Sequence, residues 1–449
     1  MSRVLISFLG TGPDYTKGMG KDRDYRKANY LFSDGQIISD KSFIALALKE
    51  YHKIDRIILI GTVHSMWENV YLQFTPQGEL DDQYWDKLAR FCDNADHTTP
   101  LDGFPPLDKL KQSLGNNSEV ILIKYGLNKE EIQENQRRIL EIEKLLESGD
   151  ELYVDITHSF RSLPIFLLNS LIYIQNFSKK KIKLKSISYG MLDASGEFTS
   201  EDEKKITPVV DLIDIINTTD WLMGAYAFKE YGNAYKITEL IKQDGDIGLA
   251  TRLDNFSEAM NLNIFDTLRK QTDIQSLRNS EYPSQFSKLI VEPIVEDFSR
   301  AFLNAAQDNL YWFQFNLAKW HADHFNYASA YISLVESIVS YVCHITRSDD
   351  KDYYAREEAK QIIRYPERYK ERFNHNQEAI NKCLILQNTF KEANRIRNKI
   401  AHSVEDDDVV SPAYYVRLGE AVKVKKDTIP YYIKVLKQSL KDIEQILSN

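Results

Sequence analysis

Six consecutive residues, Arg397-Asn398-Lys399-Ile400-Ala401-His402, set a permanent cation and the one side chain that titrates near neutrality about one and a half helical turns apart. That pairing suits cleavage of a phosphodiester, in which one group moves a proton and the other stabilises charge on phosphorus. With 20 Arg and 9 His in the chain, about half a chance match to Arg-x4-His is expected, so the motif needs context. No other His has an Arg five places before it. Five residues turn through about 140° on an ideal helix, so Arg397 and His402 do not share a face unless the last turn departs from ideality or a second copy supplies the partner. Cations near a helix C-terminus are also favourable without any catalysis, and that reading stays open.

A second group of residues suits an anionic ligand. Three β-rich runs end in small or hydroxylated residues: Gly10-Thr11-Gly12, Gly61-Thr62-Val63-His64-Ser65, and Asp155-Ile156-Thr157-His158-Ser159-Phe160-Arg161-Ser162, with Pro164 near the start of the helix that follows. Glycines let backbone N–H groups approach a phosphate or base. Gly10 and Gly12 could equally terminate a strand, His158 could be satisfied by backbone at a helix start, and Asp155 could be a structural cap. GxGxxG and GxxxxGK[ST] are both absent, which argues against an ordinary dinucleotide cofactor and a P-loop. His321 and His324, three apart, have no CxxC or HExxH companion, so packing is expected there and no metal. The basic run 179–185 reads as a solvated turn leading into a strand, with contact to phosphate as the alternative.

The elements that position these residues follow from periodicity. Runs 4–9, 56–61, 119–126, 151–158 and 183–191 are nearly continuous and apolar, as strands buried on both faces of a parallel sheet are. Helical patterns lie between them at 40–52, with Asp40 as N-cap, and at 128–149, with Asn128 as cap and Gly149 as stop. A hairpin is expected over 25–38, turning at Asp34-Gly35. The alternation predicts an α/β, Rossmann-like domain with a doubly wound parallel sheet. The polar segment 193–205 reads as the exit from that sheet, and beyond Pro208 the chain reads as helix throughout, including VVDLIDIIN and one long stretch from Tyr311 to Thr346. Leu386, Phe390, Ala393, Ile396 and Ile400 recur at helical spacing and predict a buried stripe beside Arg397.

At 449 residues the chain is too long for one ordinary core. Three scattered cysteines make no disulfide framework, the longest apolar run (around 163–174) falls short of a membrane span, and the first residues read as a strand. A soluble, cytoplasmic protein with no membrane partner is expected. The net charge of −9 argues against a general nucleic-acid coat protein but leaves room for a focused basic site.

The segments FLGTG, GTVHSMW, DITHSFRSLP and RNKIAHS, in that order, together resemble the CARF–HEPN ribonucleases of type III CRISPR systems, and WLMGAYAFKEYGNA is similar to that family's linking helical region. The resemblance implies a CARF sensor domain over 1–208, a helical linker over 209–300 and an all-α HEPN domain over 301–449. It implies a homodimer, with higher assembly open, that binds a cyclic oligoadenylate and then cleaves single-stranded RNA without metal or cofactor. Gly10, Thr11, Gly12, Gly61 and Thr62 would line the ring pocket, and Thr157, His158, Ser159 and Arg161 would contact its phosphates and riboses. Arg397 and His402 of both subunits would form the nuclease site, oriented by Asn398. The substrate's 2′-OH would be the nucleophile, which gives RNA selectivity and a 2′,3′-cyclic phosphate product. Cyclic tetra-adenylate is the ring size the family suggests. A sensor that degrades its own ring, and a non-catalytic docking module, are the alternatives.

Overall fold

The structure, a computed structural model, describes residues 2–11, 27–115, 117–158, 162–195, 197–199, 205–269, 274–282, 284–302, 309–402 and 428–448. Gly12, Ser159 and Arg161 lie outside the described residues, as does the side chain of His402. The chain divides into two compact units, Met1–Thr219 and Asp220–Asn449.

The first unit is built on one sheet of eight strands: β1 (Arg3–Leu9), β2 (Ala28–Leu31), β3 (Ile37–Lys41), β4 (Arg56–Gly61), β5 (Glu119–Leu122), β6 (Glu151–Asp155), β7 (Lys183–Gly190) and β8 (Ile206–Asp211). Their spatial order is β3-β2-β8-β7-β6-β1-β4-β5. The run β7-β6-β1-β4-β5 is parallel throughout. Counted along the chain, these five parallel strands lie in the order 5-4-1-2-3, so the winding reverses between β1 and β6. Every residue of β4 is buried, as is every residue of β1 after Arg3. That follows from apolar cover on both faces.

Leu5, Leu9, Ile57 and Leu59 face helices α1 (Ile44–His52), α2 (Trp67–Phe74), α3 (Asp82–Asn94) and α4 (Asp108–Leu114). Their neighbours Val4, Ile6, Phe8, Ile58 and Ile60 face α5 (Lys129–Leu140), α6 (Ile142–Leu145) and α7 (Leu163–Phe177). The period of two along each strand thus divides the unit into two cores, and the expected Rossmann-like α/β sheet is present, though mixed and not wholly parallel: β3 runs antiparallel to β2 and β8 to β7.

Several local expectations are corrected. Asp40 is not an N-cap; it lies in β3 with φ 60, and α1 begins four residues later behind Phe43. Asn128 does cap α5, accepting the Glu131 N–H, but the helix breaks at Glu141, and Gly149 (φ +89) belongs to the turn beyond. The hairpin turns at Gly35 (φ +87) as expected, and β3 carries on to Lys41. The largest correction concerns 206–211, expected as helix beyond Pro208. Ile206, Thr207, Val209 and Val210 are β-branched, and the segment inserts between β2 and β7 as β8, so the polar segment before it lies inside the sheet domain.

The second unit is helical: α8 (Asp214–Tyr231, within which the boundary falls), α9 (Tyr235–Gln243), α10 (Ile247–Leu262), α11 (Phe265–Arg269), α12 (Ile274–Arg278), α13 (Glu292–Phe302, entered by a π-helical turn), α14 (Leu310–Asp323), α15 (Tyr327–Ile345), α16 (Tyr353–Arg364), α17 (Gln377–His402) and α18 (Ile429–Ser448). The stretch expected as one long helix is two, because Phe325 takes φ 60 and Asn326 caps α15 through the Ser329 N–H. By length and composition α15 could cross a membrane, and it exceeds the apolar run singled out from sequence. Most of it is buried inside this unit, however, where α14, α16, α17 and α18 pack around it.

Candidate functional site

The reversal between β1 and β6 opens a crevice at the carboxyl ends of the parallel strands, where open α/β sheets bind ligands. A cavity of about 240 Å³ lies there, lined by Leu9, Gly10, Thr11, Gly61, Thr62, Ser65, Ile123, Thr157, His158 and Leu163. The structure therefore brings together residues from all three strand ends that the sequence singled out.

The turn after β4 is welded to the end of β1. The Ser65 hydroxyl donates to the Leu9 carbonyl (2.8 Å) and accepts the Thr62 N–H (3.0 Å), while the Met66 N–H donates to the Gly10 carbonyl (3.1 Å). The Trp67 indole, fully buried, donates to the Thr62 carbonyl at 2.7 Å. A Cβ on Gly61 would stand 2.6 Å from Trp67 Cζ2 and 2.9 Å from Ser65 Oγ, so only glycine fits. Across the crevice the Thr157 hydroxyl accepts the Gly190 N–H (2.8 Å), and the Thr157 N–H donates to Asp155 Oδ1 (2.9 Å).

Two electrostatic features qualify the site. Asp155 is completely buried and accepts from the Ser7 hydroxyl at 2.5 Å; burial pushes its carboxyl up to about 6, against the pull of the bonds from Ser7 and Thr157. Burial also lowers His158 to about 4. At neutral pH His158 is an uncharged hydrogen-bonding group and supplies no cation to a phosphate. Sequence reasoning missed Ser7, and it included Ser65 in a strand end without giving it a role of its own. Ser7 carried a signal: it is the one polar residue after Arg3 in an otherwise apolar central strand, directly opposite Asp155 in the register of β1 and β6.

In the second unit, α17 carries the Arg-x4-His residues. Leu386, Phe390, Ala393 and Ile396 form the buried stripe as expected, extended backward by Ile380 and Cys383. Ile400 does not belong to it: it is 38% exposed, as Asn398 and Ala401 also are exposed. The last turn of α17 has thus run past its own core. Arg397, partly buried, donates to Asn394 Oδ1 at 2.8 Å, so a residue the sequence reading passed over orients the guanidinium. His321 and His324 belong to packing. His321 is buried, and His324 stacks on Trp320 at 4.2 Å while its Nδ1 bonds the Trp320 carbonyl. No group of three or more His, Cys, Asp or Glu that could hold a metal is present among the described residues.

Comparison with known proteins gives three findings. Residues 4–191 match the family described as CRISPR system endoribonuclease Csx1, CARF domain, and residues 217–306 match CRISPR-associated protein MJ1674, second domain. The chain is 31% identical over 468 aligned positions to the CRISPR-associated protein MJ1674 of Methanocaldococcus jannaschii, covering 100% of this chain and 70% of that protein. Among solved structures, Enterococcus italicus Csm6 bound to cyclic hexa-2′-fluoro-hexa-dAMP aligns with a TM-score of 0.40 and 11% identity, covering 100% of this chain and 94% of that one.

Proposed function

The chain belongs to the family of CRISPR-associated protein MJ1674 and carries a CARF domain of the Csx1 type, and from that premise we propose that it is a cytoplasmic single-strand-specific endoribonuclease switched on by a cyclic oligoadenylate. The observation that carries the reading is the convergence of Gly10, Thr11, Gly61, Thr62, Thr157 and His158 on one crevice at the winding reversal. Glycine backbone at Gly10 and Gly61 and the hydroxyls of Thr11, Thr62 and Thr157 contribute to that lining, groups suited to phosphates and ribose. Arg161, two residues before Leu163 in the chain, is the cation assigned to the ring's phosphates, since His158 is neutral.

A volume of about 240 Å³ falls below the roughly 300–1,000 Å³ of ordinary small-molecule sites, and a ring of nucleotides needs more than one such pocket. A homodimer supplies two. Helix α7, which opens at pocket-lining Leu163, supports this arrangement. Ile165 (61% exposed), Tyr173 and Phe177 (66%) recur on it at intervals of eight and four and leave one apolar face bare.

In the second unit, read as a HEPN domain, His402 moves the proton and Arg397 stabilises the phosphorane as the substrate's 2′-OH attacks, giving a 2′,3′-cyclic phosphate. The chemistry assigned to these groups uses no metal or cofactor. Asn398 is exposed on the same turn, and orienting the pair across the two-fold is the role assigned to it.

The test is incubation of wild type and His402→Ala with labelled single-stranded RNA in EDTA, with and without cyclic tetra- or hexa-adenylate. Cleavage that requires a ring and His402 is expected, with cyclic tetra-adenylate the stronger activator. Equal cleavage by the variant removes the nuclease assignment, and indifference to every ring removes the messenger.

A further inference from the structure

We propose that single-stranded RNA reaches the Arg397 end of α17 along one face of that helix and stacks a base on Tyr365; this rests on the ribonuclease reading above. Gln387, Lys391, Asn394 and Asn398 follow one another at intervals of four, three and four, which puts them on one side of α17. No carboxylate interrupts the series, and Asn394 holds the Arg397 guanidinium. At its far end the series joins the segment between α16 and α17, where the Gln387 amide donates to the Arg364 carbonyl at 2.5 Å.

There Tyr365 is 48% exposed, and the Arg368 guanidinium lies 4.6 Å from its ring centroid. A tyrosine face backed by a guanidinium is a stacking platform for a base, with a cation beside it for phosphate. Charge separates this surface from its surroundings. Lys370 is held by Glu367 and Arg372 by Glu358, whereas Arg368 and Lys391 have no carboxylate partner among the described residues. A chain of net charge −9 thus keeps two uncommitted cations along the proposed path, Arg368 beside Tyr365 and Lys391 on the α17 face, where a polyanion gains most from them. Gln387 to Arg397 is ten residues of helix, about 15 Å, or about four stacked nucleotides. An RNA must exceed that length to occupy both ends.

The test is binding of fluorescent 12-nucleotide and 4-nucleotide single-stranded RNAs to the full chain carrying His402→Ala, read by anisotropy across a salt series. In that background Tyr365→Ala is expected to weaken the 12-mer about tenfold, and Tyr365→Phe to restore it. Lys391→Ala is expected to lower the slope of log K against log salt by about 0.7. The 4-mer, held at the Arg397 end, is expected to lose salt slope with Lys391→Ala but not to respond to Tyr365→Ala. Unchanged 12-mer affinity in Tyr365→Ala, or an equal loss for both lengths, overturns the proposal. Absence of cleavage by the His402-intact chain with the Tyr365 dependence retained removes the nuclease reading and leaves the RNA path standing.

Discussion

Replacing Asp155 by Asn removes a charge from beneath the crevice while keeping an acceptor for the Thr157 N–H and offering Ser7 a donor. The native carboxyl titrates near 6 because burial outweighs its hydrogen bonds, whereas the unfolded one titrates near 3.9. Between those values the unfolded chain has released a proton that the native chain retains, so stability of the first unit falls as pH rises through the window. About two pKa units at 1.36 kcal/mol each amount to about 3 kcal/mol, present in full below pH 4 and lost by pH 7. Asp155→Asn carries no such term, so its stability relative to wild type is expected to climb by most of that amount between pH 4.5 and 7.5. Urea denaturation followed by hydrogen-exchange mass spectrometry of β1 and β6 peptides reads the first unit by itself. The same charge opposes an anion in the crevice. Affinity for a phosphate-bearing ligand is therefore expected to fall in wild type as pH passes 6 and to stay level in the variant. A stability difference flat across that range refutes the buried-acid description.

The second unit responds to pH with the opposite sign. Burial, with the neighbouring His324, lowers His321 to about 4, so below pH 6.5 the unfolded chain takes a proton that the native one excludes. Stability is lost between pH 6.5 and 4, by about 3 kcal/mol, and His321→Leu is expected to flatten that limb of a Tm–pH curve. Gly61→Ala forces the new Cβ against Trp67 and Ser65. It is expected to cost about 2–4 kcal/mol by denaturant titration and to weaken ligand binding measured by calorimetry. At the other end of the sheet, Arg56→Ala strands buried Asp150, which Arg56 holds at 2.6 Å. It is expected to cost about 3–5 kcal/mol while leaving the 12-mer RNA affinity of the second unit unchanged.

What the sequence made legible was local. Strands buried on both faces announce themselves as unbroken apolar runs, and 56–61 matches β4 residue for residue. The crevice was legible because small and hydroxylated residues follow three such runs. β8 was not, because its partner β2 lies far back in the chain, with Asn29 opposite Ile206, and pairing at that separation leaves no periodic trace near either strand. Pro208 added a local signal that pointed away from strand. Asp40 failed as a cap for a similar reason: pairing between β2 and β3 holds it in β3. Ile400 continues the helical spacing of Ile396, and spacing cannot tell where a core stops beneath a helix.

That last failure bears on the opening motif. A helix that outruns its core by a turn leaves Ile400 uncovered, at a cost in apolar exposure that a partner surface would offset. The backbone of α17 stays helical to His402, so the roughly 140° between the two positions is not relieved by an unwound end. In a single copy, then, positions 397 and 402 stand on different sides of the helix. The crevice of the first unit, at about 240 Å³, is likewise too small for a ring of nucleotides and lies beside a helix with a bare apolar face. Each unit by itself falls short of what its proposed ligand requires, and the homodimer proposed above would bring a second copy of each. Under that proposal the incompleteness of each unit has one remedy, a second copy of the chain, and a monomer made by charge substitution on the bare face of α7 is expected to lose ring binding and RNA cleavage together.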